Sequence, residues 1–266
     1  MKWAIMAIAA IAAGCAGAKP APAEKINGLR VVDAGSGGVP VVFLPGLCGS
    51  AEVWRGQIDH LRGSRRVVAY DQRGHGASDR AQKYTLDSLA DDLETVAGLV
   101  RLNKFWLVGH SMSGAVLSTY AANHGERVAG LVYVDAVGDL RDASPELKKW
   151  FRDAPPDLGV PQLKSMFGEM LGPKAKPQTR EKVLADLEKC DPRAFVELRQ
   201  ALVEASLAEQ AARYSGPKFA IEAEGEAPFA ASRLPGVQRR TLAGVSHWLM
   251  LDDEAAFNSA LDEILK

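Results

Sequence analysis

The sequence predicts an α/β protein with a mostly parallel, doubly wound sheet and a long helical insertion. Short apolar runs alternate with amphipathic stretches along most of the chain, which is the order of repeated β-α-β units. The apolar runs are nearly continuous, as in strands that are buried on both faces. Residues 141–215 depart from this order, because they contain no convincing strand and are mostly helical in periodicity.

Each element follows from its local pattern. In the stretch 85–102, Thr85 can cap a helix, and apolar side chains recur every three or four positions on one face. The other helical stretches outside the insertion are 51–61, 114–124 and 252–265. The strand-like runs are 29–35, 39–46, 65–71, 104–110, 128–136, 216–225 and 237–247.

These elements divide the chain into a core and an insertion. We expect residues 26–140 and 216–266 to form the α/β core, and residues 141–215 to form a helical cap over one end of the sheet. Long insertions of this kind tend to be functional lids.

The charge of the chain argues against one class of partner. It carries 32 basic and 33 acidic residues, a net charge of −1, and the two signs are well mixed. Nucleic-acid binding requires a basic face, and the Lys/Arg runs here are short. We therefore expect no nucleic-acid partner.

Residues 1–18 have the shape of a secretory signal peptide: one Lys, an apolar stretch rich in Ala and Ile, and then small residues. The apolar stretch is short for a membrane span. An A-x-A pattern would place cleavage before Lys19, whereas a sequence similar to a bacterial lipoprotein box would place it before a lipidated Cys15. An uncleaved anchor is a third alternative.

We therefore expect an exported protein that is periplasmic, attached to the membrane through a lipid on Cys15, or secreted. A Pro/Ala linker at 19–25 would tether the domain. If Cys15 is lipidated or removed, Cys48 and Cys190 remain. An exported chain can form a disulfide, but their separation does not establish one, and a free buried thiol is the expectation for Cys48.

Ser111 is the candidate nucleophile. It lies in "GHSMSG" (109–114), between a strand and a helix, where a G-x-S-x-G elbow would expose its hydroxyl at the carboxyl edge of the sheet. The turn is strained and needs small neighbours, and Ser113 is small enough to stand where Gly is usual. Because such pentapeptides also arise by chance, a purely structural turn is the alternative.

A serine hydroxyl needs a base that takes its proton, and His247 is the candidate. It follows the last strand, so its loop lies at the same sheet edge as the elbow. The other histidines fit less well, because His110 points away from Ser111 and because His60 and His124 fall in helices.

The base needs an orienting acid, which should lie between the serine and the histidine in chain order. Asp135 follows strand residues 128–134, and Glu224 and Glu226 follow the next strand. Both loops end at the candidate edge, so the pattern alone leaves the acid open.

The remaining requirement is an oxyanion hole. The segment "FLPGLCGS" (43–50) follows a strand and turns on Gly46. The Leu47 N–H could donate there together with the Met112 N–H, which follows the nucleophile. A plain strand-to-helix loop is the alternative.

Taken together, "LPGLCGSAEVW", "YDQRGHGASD", "VGHSMSG", "VDA" and "GVSHWLMLDDEAAF" resemble the α/β-hydrolase superfamily, in its order and over nearly all of residues 29–266. The resemblance implies an α/β-hydrolase fold with the cap inserted after the sixth core strand. It implies Ser111 as nucleophile, His247 as base, and Leu47 with Met112 as oxyanion donors. It also implies that "DQRGHGASD" is a structural turn, with scaffold roles for Arg73, His75 and Asp79.

The acid departs from the commonest family pattern. The loop after the seventh strand, "EAEGEAPFA", has no Asp, and Ala227 falls where one would stand. Some branches, the haloalkane dehalogenases among them, take the acid from just after the sixth strand, which favours Asp135 over Glu224 or Glu226. The serine at the elbow argues against haloalkane or epoxide chemistry, in which the nucleophile is a carboxylate.

We expect a serine hydrolase that acts on a small or medium carboxylic ester through Ser111, His247 and Asp135, without a metal or organic cofactor. The same residues would also suit C–C or amide hydrolysis, acyl transfer or perhydrolysis, and a non-catalytic ligand-binding receptor is the alternative outside enzymes. Oligomeric state stays open. Apolar residues of the insertion could line a pocket or form the cap's own core: Trp150, Phe151, Met166, Phe167, Met170 and Leu171.

Overall fold

The computed structural model describes residues 23–141, 143–153, 158–225 and 227–266. The predicted signal peptide, Cys15 and the alternative acid Glu226 lie outside the described residues. Within the described ranges, no helix is both long enough and apolar enough to cross a membrane.

Eight strands form one sheet, in the order β1-β2-β4-β3-β5-β6-β7-β8. The first two strands are antiparallel to their neighbours, and all strand pairs from β4 to β8 are parallel. This confirms the predicted mostly parallel sheet. The strands are β1 Ala23–Ile26, β2 Leu29–Ala34, β3 Val41–Leu44, β4 Val67–Tyr70, β5 Phe105–His110, β6 Val128–Val134, β7 Lys218–Ala223 and β8 Val237–Leu242.

Helices cover both faces of the sheet. Thr85 begins α2 with a capping box, because its side chain accepts from the Ser88 N–H while the Ser88 side chain accepts from the Thr85 N–H. The core helices are α1 Arg55–Leu61, α2 Leu86–Leu99, α3 Ser113–His124, α9 Leu249–Asp252 and α10 Glu254–Ile264. Short 3-10 helices span Ala51–Trp54, Gly125–Arg127, Leu187–Lys189 and Ala231–Arg233.

The helical insertion lies between β6 and β7, as predicted. It consists of α4 Pro145–Arg152, α5 Val160–Leu171, α6 Pro177–Asp186, α7 Pro192–Glu204 and α8 Leu207–Arg213. Below it, Val42 and Val68 pack with α2, α3 and α8 on one face, while Val41 and Val67 pack with α1 and α10 on the other. Consecutive strand residues point to opposite faces, so the sheet is doubly wound.

Two expectations are corrected. Residues 23–25, predicted as the end of a linker, form the edge strand β1 paired with β2. The free thiol predicted at Cys48 is wrong, because Cys48 and Cys190 form a disulfide between positions 142 residues apart. The fold brings the loop after β3 to the turn before α7, and nothing local in either sequence signals that approach.

The disulfide belongs to a group of contacts that fasten the insertion to the core. Ser50 donates from its hydroxyl to the Asp186 carboxylate at 2.8 Å, and Tyr84 donates to Asp191 at 2.7 Å. We call residues 186–191 the anchoring segment. It fixes the part of the insertion between α6 and α7 beside the loop that follows β3.

Candidate active site

Ser111 lies at the turn between β5 and α3, in the left-handed backbone region at φ 54°, which is strained for a residue with a side chain. The turn is possible because its neighbours are small. A Cβ on Gly109 would lie 2.7 Å from the Leu117 Cδ1, and one on Gly114 would lie 2.6 Å from the Ala136 Cβ. Steric contacts at the turn therefore explain the small residues around Ser111 in "GHSMSG".

The structure brings Ser111, His247 and Asp135 together in one hydrogen-bonded chain. The Ser111 Oγ lies 2.9 Å from His247 Nε2, and His247 Nδ1 lies 2.6 Å from the Asp135 Oδ2. A carboxylate can only accept, so Nδ1 carries the ring proton and Nε2 is left to accept from the serine hydroxyl. The three residues follow β5, β8 and β6, whose carboxyl ends meet at one edge of the sheet.

The carboxylate oxygen of Asp135 that faces away from His247 is hydrogen-bonded as well. Its Oδ1 accepts from the Ala223 N–H at 3.0 Å, and its backbone is in the left-handed region at φ 41°. Burial alone would raise the pKa of Asp135, but its hydrogen bond with His247, the charge on that ring and the Ala223 N–H together hold the pKa below its usual value. The carboxylate therefore stays ionised beside the imidazole.

The alternative acid Glu224 occupies a different position. It is exposed after β7, and its backbone N–H donates to the Leu242 carbonyl at 2.8 Å. Within the described residues it makes no hydrogen bond to His247. Its neighbour Glu222, which sequence reasoning missed, is buried and accepts from Arg239 at 2.7 Å and from the Ser232 hydroxyl at 2.9 Å. These contacts order the loop after β7.

The loop with Leu47 passes directly against the nucleophile turn. A Cβ on Gly46 would lie 3.0 Å from the Ser111 Cβ and 2.7 Å from His110 Nδ1, so only glycine fits there. Leu47 and Met112 line the same cavity as Ser111. Among the described residues, neither the Leu47 N–H nor the Met112 N–H has a hydrogen-bond acceptor, so both are available as donors.

The remaining histidines lie outside the hydrogen-bonded chain. His110 is buried and donates from Nε2 to the His247 carbonyl at 2.9 Å, which supports the loop that carries the candidate base. Burial lowers the pKa of His110 to about 3. His75 is buried against the Arg73 carbonyl, while His60 is exposed and pairs with Asp262.

The segment "DQRGHGASD", predicted to be a structural turn, contacts neighbouring elements of the core. Arg73 forms a two-point ion pair with Asp92 of α2, and Asp79 pairs with Lys25 of β1 at an exposed position. Asp71, at the start of the turn, accepts from the Ala51 and Ala77 N–H groups. Scaffold roles stay the prediction for Arg73, His75 and Asp79.

Comparison with known proteins decides the family. The sequence profile of the alpha/beta hydrolase fold matches residues 39–214. The chain belongs to the α/β hydrolase family. A curated relative, the sn-1-specific diacylglycerol lipase of Danio rerio, is 25% identical over 257 residues, which is 89% of this chain and 81% of the lipase.

Solved structures show the same fold. The enol-lactonase of Burkholderia xenovorans LB400 is 21% identical with a TM-score of 0.79, covering 92% of this chain and 99% of its own. A thermophilic esterase of Thermogutta terrifontis is 23% identical with a TM-score of 0.76, covering 89% and 93%. Family membership and the hydrolases among its relatives indicate that this α/β hydrolase is a hydrolytic enzyme.

The α/β hydrolase has a largely apolar cavity of about 650 Å³ between the sheet edge and the insertion. Ser111 and His247 lie in its wall. Five of the six predicted insertion residues line it: Trp150, Phe151, Met166, Phe167 and Met170. The sixth, Leu171, is buried in the packing of the insertion. Trp150 and Met170 remain 45% and 38% exposed, although both line the cavity.

A buried arginine in the cavity wall was also missed from sequence. Arg199 is 2% exposed, donates to the Trp150 and Asp153 carbonyls at the end of α4, and lies 4.4 Å from the Trp150 ring centroid. A cation at a helix C-terminus is favoured by the exposed carbonyls there. Arg199 thus fixes α4 on α7. Within the described ranges, no group of three or more His, Cys, Asp or Glu residues is placed to hold a metal ion.

Proposed function

We propose that the protein is a serine hydrolase that cleaves small or medium carboxylic esters through an acyl-enzyme. The observation that carries this proposal is the hydrogen-bonded chain from Ser111 through His247 to Asp135, opening into the apolar cavity. A serine hydroxyl becomes an effective nucleophile when a base of fixed tautomer accepts its proton.

In the proposed mechanism, the Ser111 Oγ attacks the ester carbonyl carbon while its proton passes to His247 Nε2. The carbonyl oxygen becomes negative, and the Leu47 and Met112 N–H groups donate to it. His247 then protonates the departing alcohol, and a water attacks the acyl-enzyme with His247 again as base. Asp135 holds the ring tautomer and stabilises the imidazolium that forms in each half of the reaction.

The substrate class follows from the cavity. Its volume of about 650 Å³ is in the range of small-molecule sites, and aromatic and Met side chains dominate the wall. Two buried charged side chains in its wall have partners: Arg199 donates from its terminal nitrogens to two carbonyl groups, and Glu222 accepts from Arg239 and Ser232. An uncharged acyl chain of small or medium length therefore suits the site better than a charged one.

Export is part of the proposal. The signal-peptide pattern at 1–18 supports it, and so does the disulfide between Cys48 and Cys190, because disulfides persist mainly in oxidising compartments. Mass spectrometry of the mature N-terminus distinguishes a lipidated Cys15 from a start at Lys19. An N-terminus that still carries Met1 would contradict cleavage at either site.

The test of the chemistry is covalent labelling combined with turnover. A fluorophosphonate probe should label the protein at one site, and Ser111→Ala should abolish both labelling and hydrolysis of p-nitrophenyl acetate and butyrate. Labelling that persists in Ser111→Ala would remove the nucleophile assignment. The same assay with p-nitroanilides of the same acyl groups, and with alcohols or peroxide as acyl acceptors, measures amide hydrolysis, acyl transfer and perhydrolysis against ester hydrolysis.

A further inference from the structure

Ser113, the residue that stands where the elbow pattern usually has Gly, makes a buried contact that a glycine cannot make. Its hydroxyl donates to the Pro45 carbonyl at 2.5 Å. The same hydroxyl accepts from Gln72 Nε2 at 2.9 Å, and Gln72 Nε2 also reaches the Pro45 carbonyl at 2.9 Å. Both side chains are fully buried. Two side chains from separate elements therefore converge on one carbonyl of the loop after β3.

That carbonyl belongs to the peptide next to the one that carries the Leu47 N–H. In a trans peptide the C=O and N–H groups point in opposite directions, so fixing the Pro45 carbonyl fixes the first plane of the loop. The Gly46 carbonyl accepts from the Gly49 N–H at 3.0 Å, which orients the second plane and sends the Leu47 N–H the other way. Gly46 is the pivot between the two planes, and glycine resists rotation least.

We propose that Ser113 and Gln72 are positioning residues that hold the Pro45 carbonyl and thereby aim the Leu47 N–H at the oxygen that becomes negative during ester cleavage. The inference rests on the proposed function. It adds that the hydroxyl of Ser113 acts through the backbone of a neighbouring loop and touches neither the substrate nor Ser111. Its effect belongs to the transition state, because the ground-state ester carries little charge on that oxygen.

The test is Ser113→Ala, with Ser118→Ala as the matched control. Ser118 is also buried on α3, but its hydroxyl bonds Tyr133 and the Gly114 carbonyl and has no contact with the loop after β3. We expect Ser113→Ala to lower kcat for p-nitrophenyl butyrate about tenfold, less than the 10²–10³-fold loss that follows removal of an oxyanion donor. KM should stay within about twofold, and Ser118→Ala should leave kcat unchanged.

A second measurement distinguishes a misoriented Leu47 N–H from a general folding defect. A trifluoromethyl ketone binds by accepting Ser111 at its carbonyl carbon, with the hydroxyl proton passing to His247 and the carbonyl oxygen becoming negative. Its affinity should fall by the same factor as kcat/KM, whereas affinity for the unfluorinated ketone of equal chain length should not change. Gln72→Met should act in the same direction, and the double variant should lose less than the product of the two, because both groups hold one carbonyl.

Wild-type kcat in Ser113→Ala, measured per active site by fluorophosphonate titration, would overturn the inference and leave the proposed function standing. Equal loss of affinity for both ketones would overturn it too, because the defect would then be general. Full activity in Ser111→Ala is the separate result that would remove the proposed function itself.

Discussion

The contacts that stabilise the sheet edge with the candidate catalytic residues differ from those that stabilise the helical insertion above it. At the edge, Ser111 and Asp135 lie in strained backbone directly after β5 and β6, and hydrogen bonds of 2.9 and 2.6 Å join them to His247. The insertion depends on contacts between residues far apart in sequence, concentrated in the anchoring segment. Local backbone geometry therefore positions the candidate catalytic residues, whereas long-range contacts position the insertion over the cavity.

The difference teaches that rate and selectivity can be perturbed separately. Changes at the edge should alter the rate of bond cleavage. Changes in the insertion should alter stability and the choice of substrate, because its side chains reach the cavity but not the hydrogen-bonded chain. Within the insertion, α4 is fixed to α7 through Arg199.

The largest effect is expected at the acid. Asp135→Asn should lower kcat for p-nitrophenyl butyrate by about 10⁴-fold, because the asparagine amide opposite His247 Nδ1 no longer selects the productive tautomer of His247. Glu224→Gln is the control and should stay within about twofold, since the ring of His247 is hydrogen-bonded to Asp135 and Ser111 and not to Glu224. Steady-state kinetics of both variants measure the contrast. A collapse in Glu224→Gln with activity retained in Asp135→Asn would reverse the assignment.

Removing the disulfide should mainly affect stability. In Cys48→Ser with Cys190→Ser, we expect the melting temperature to fall by about 5 to 15 °C, because a cross-link over 142 residues contributes roughly 2–5 kcal/mol to the free energy of unfolding. Scanning calorimetry measures it. An unchanged melting temperature would mean that the hydrogen bonds of the anchoring segment suffice without the cross-link.

Much of the sheet edge could be predicted from sequence because its signals are local. Ser111 is marked by the small residues that its turn requires, and Asp135 and His247 are marked by their places after strands that end at one edge. Thr85 was also identifiable as a helix cap from its position alone. The structure places these residues as their patterns indicated, although a pattern could not choose between Asp135 and Glu224.

The insertion could be predicted only as a helical segment. The pairing of Cys48 with Cys190 and the burial of Arg199 against α4 depend on how distant helices pack, and neither has a periodic signature. Periodicity also could not tell cavity from core: Met170 and Leu171 are adjacent, yet one lines the cavity and the other packs inside. Strand β1 was missed because it is short, mostly exposed and interrupted by Glu24 and Lys25, so no apolar run marks it.

At the sheet edge, His110 should make stability depend on pH. Its pKa of about 3 in the folded chain lies below the value of about 6.5 in an unfolded one. Below pH 6.5 the unfolded chain binds a proton at His110 that the folded chain does not. The stabilising contribution of neutral, buried His110 to the free energy of unfolding is therefore fully present above pH 6.5 and is lost as pH falls towards 3. Between pH 7.5 and 5, the wild type should lose about 2 kcal/mol more unfolding free energy than His110→Gln, at roughly 1.4 kcal/mol per pH unit below 6.5.

Urea unfolding at the two pH values measures this difference. The comparison between variants removes the contribution of His75, whose pKa burial also lowers and which is present in both proteins. Equal losses in wild type and His110→Gln would show that His110 gains a proton in the folded state without cost, which the geometry around its ring argues against.

The smallest effect is expected on selectivity, and it tests the insertion directly. Met166→Trp fills part of the cavity, so the ratio of kcat/KM for p-nitrophenyl hexanoate over acetate should fall about tenfold, in line with 1–3 kcal/mol per methylene in an apolar pocket. Leu171→Ala, on the same helix α5, should destabilise the protein by about 2–5 kcal/mol without moving that ratio. If both variants shift the ratio equally, packing of the insertion and shape of the cavity are one property, and the separation of rate from selectivity fails.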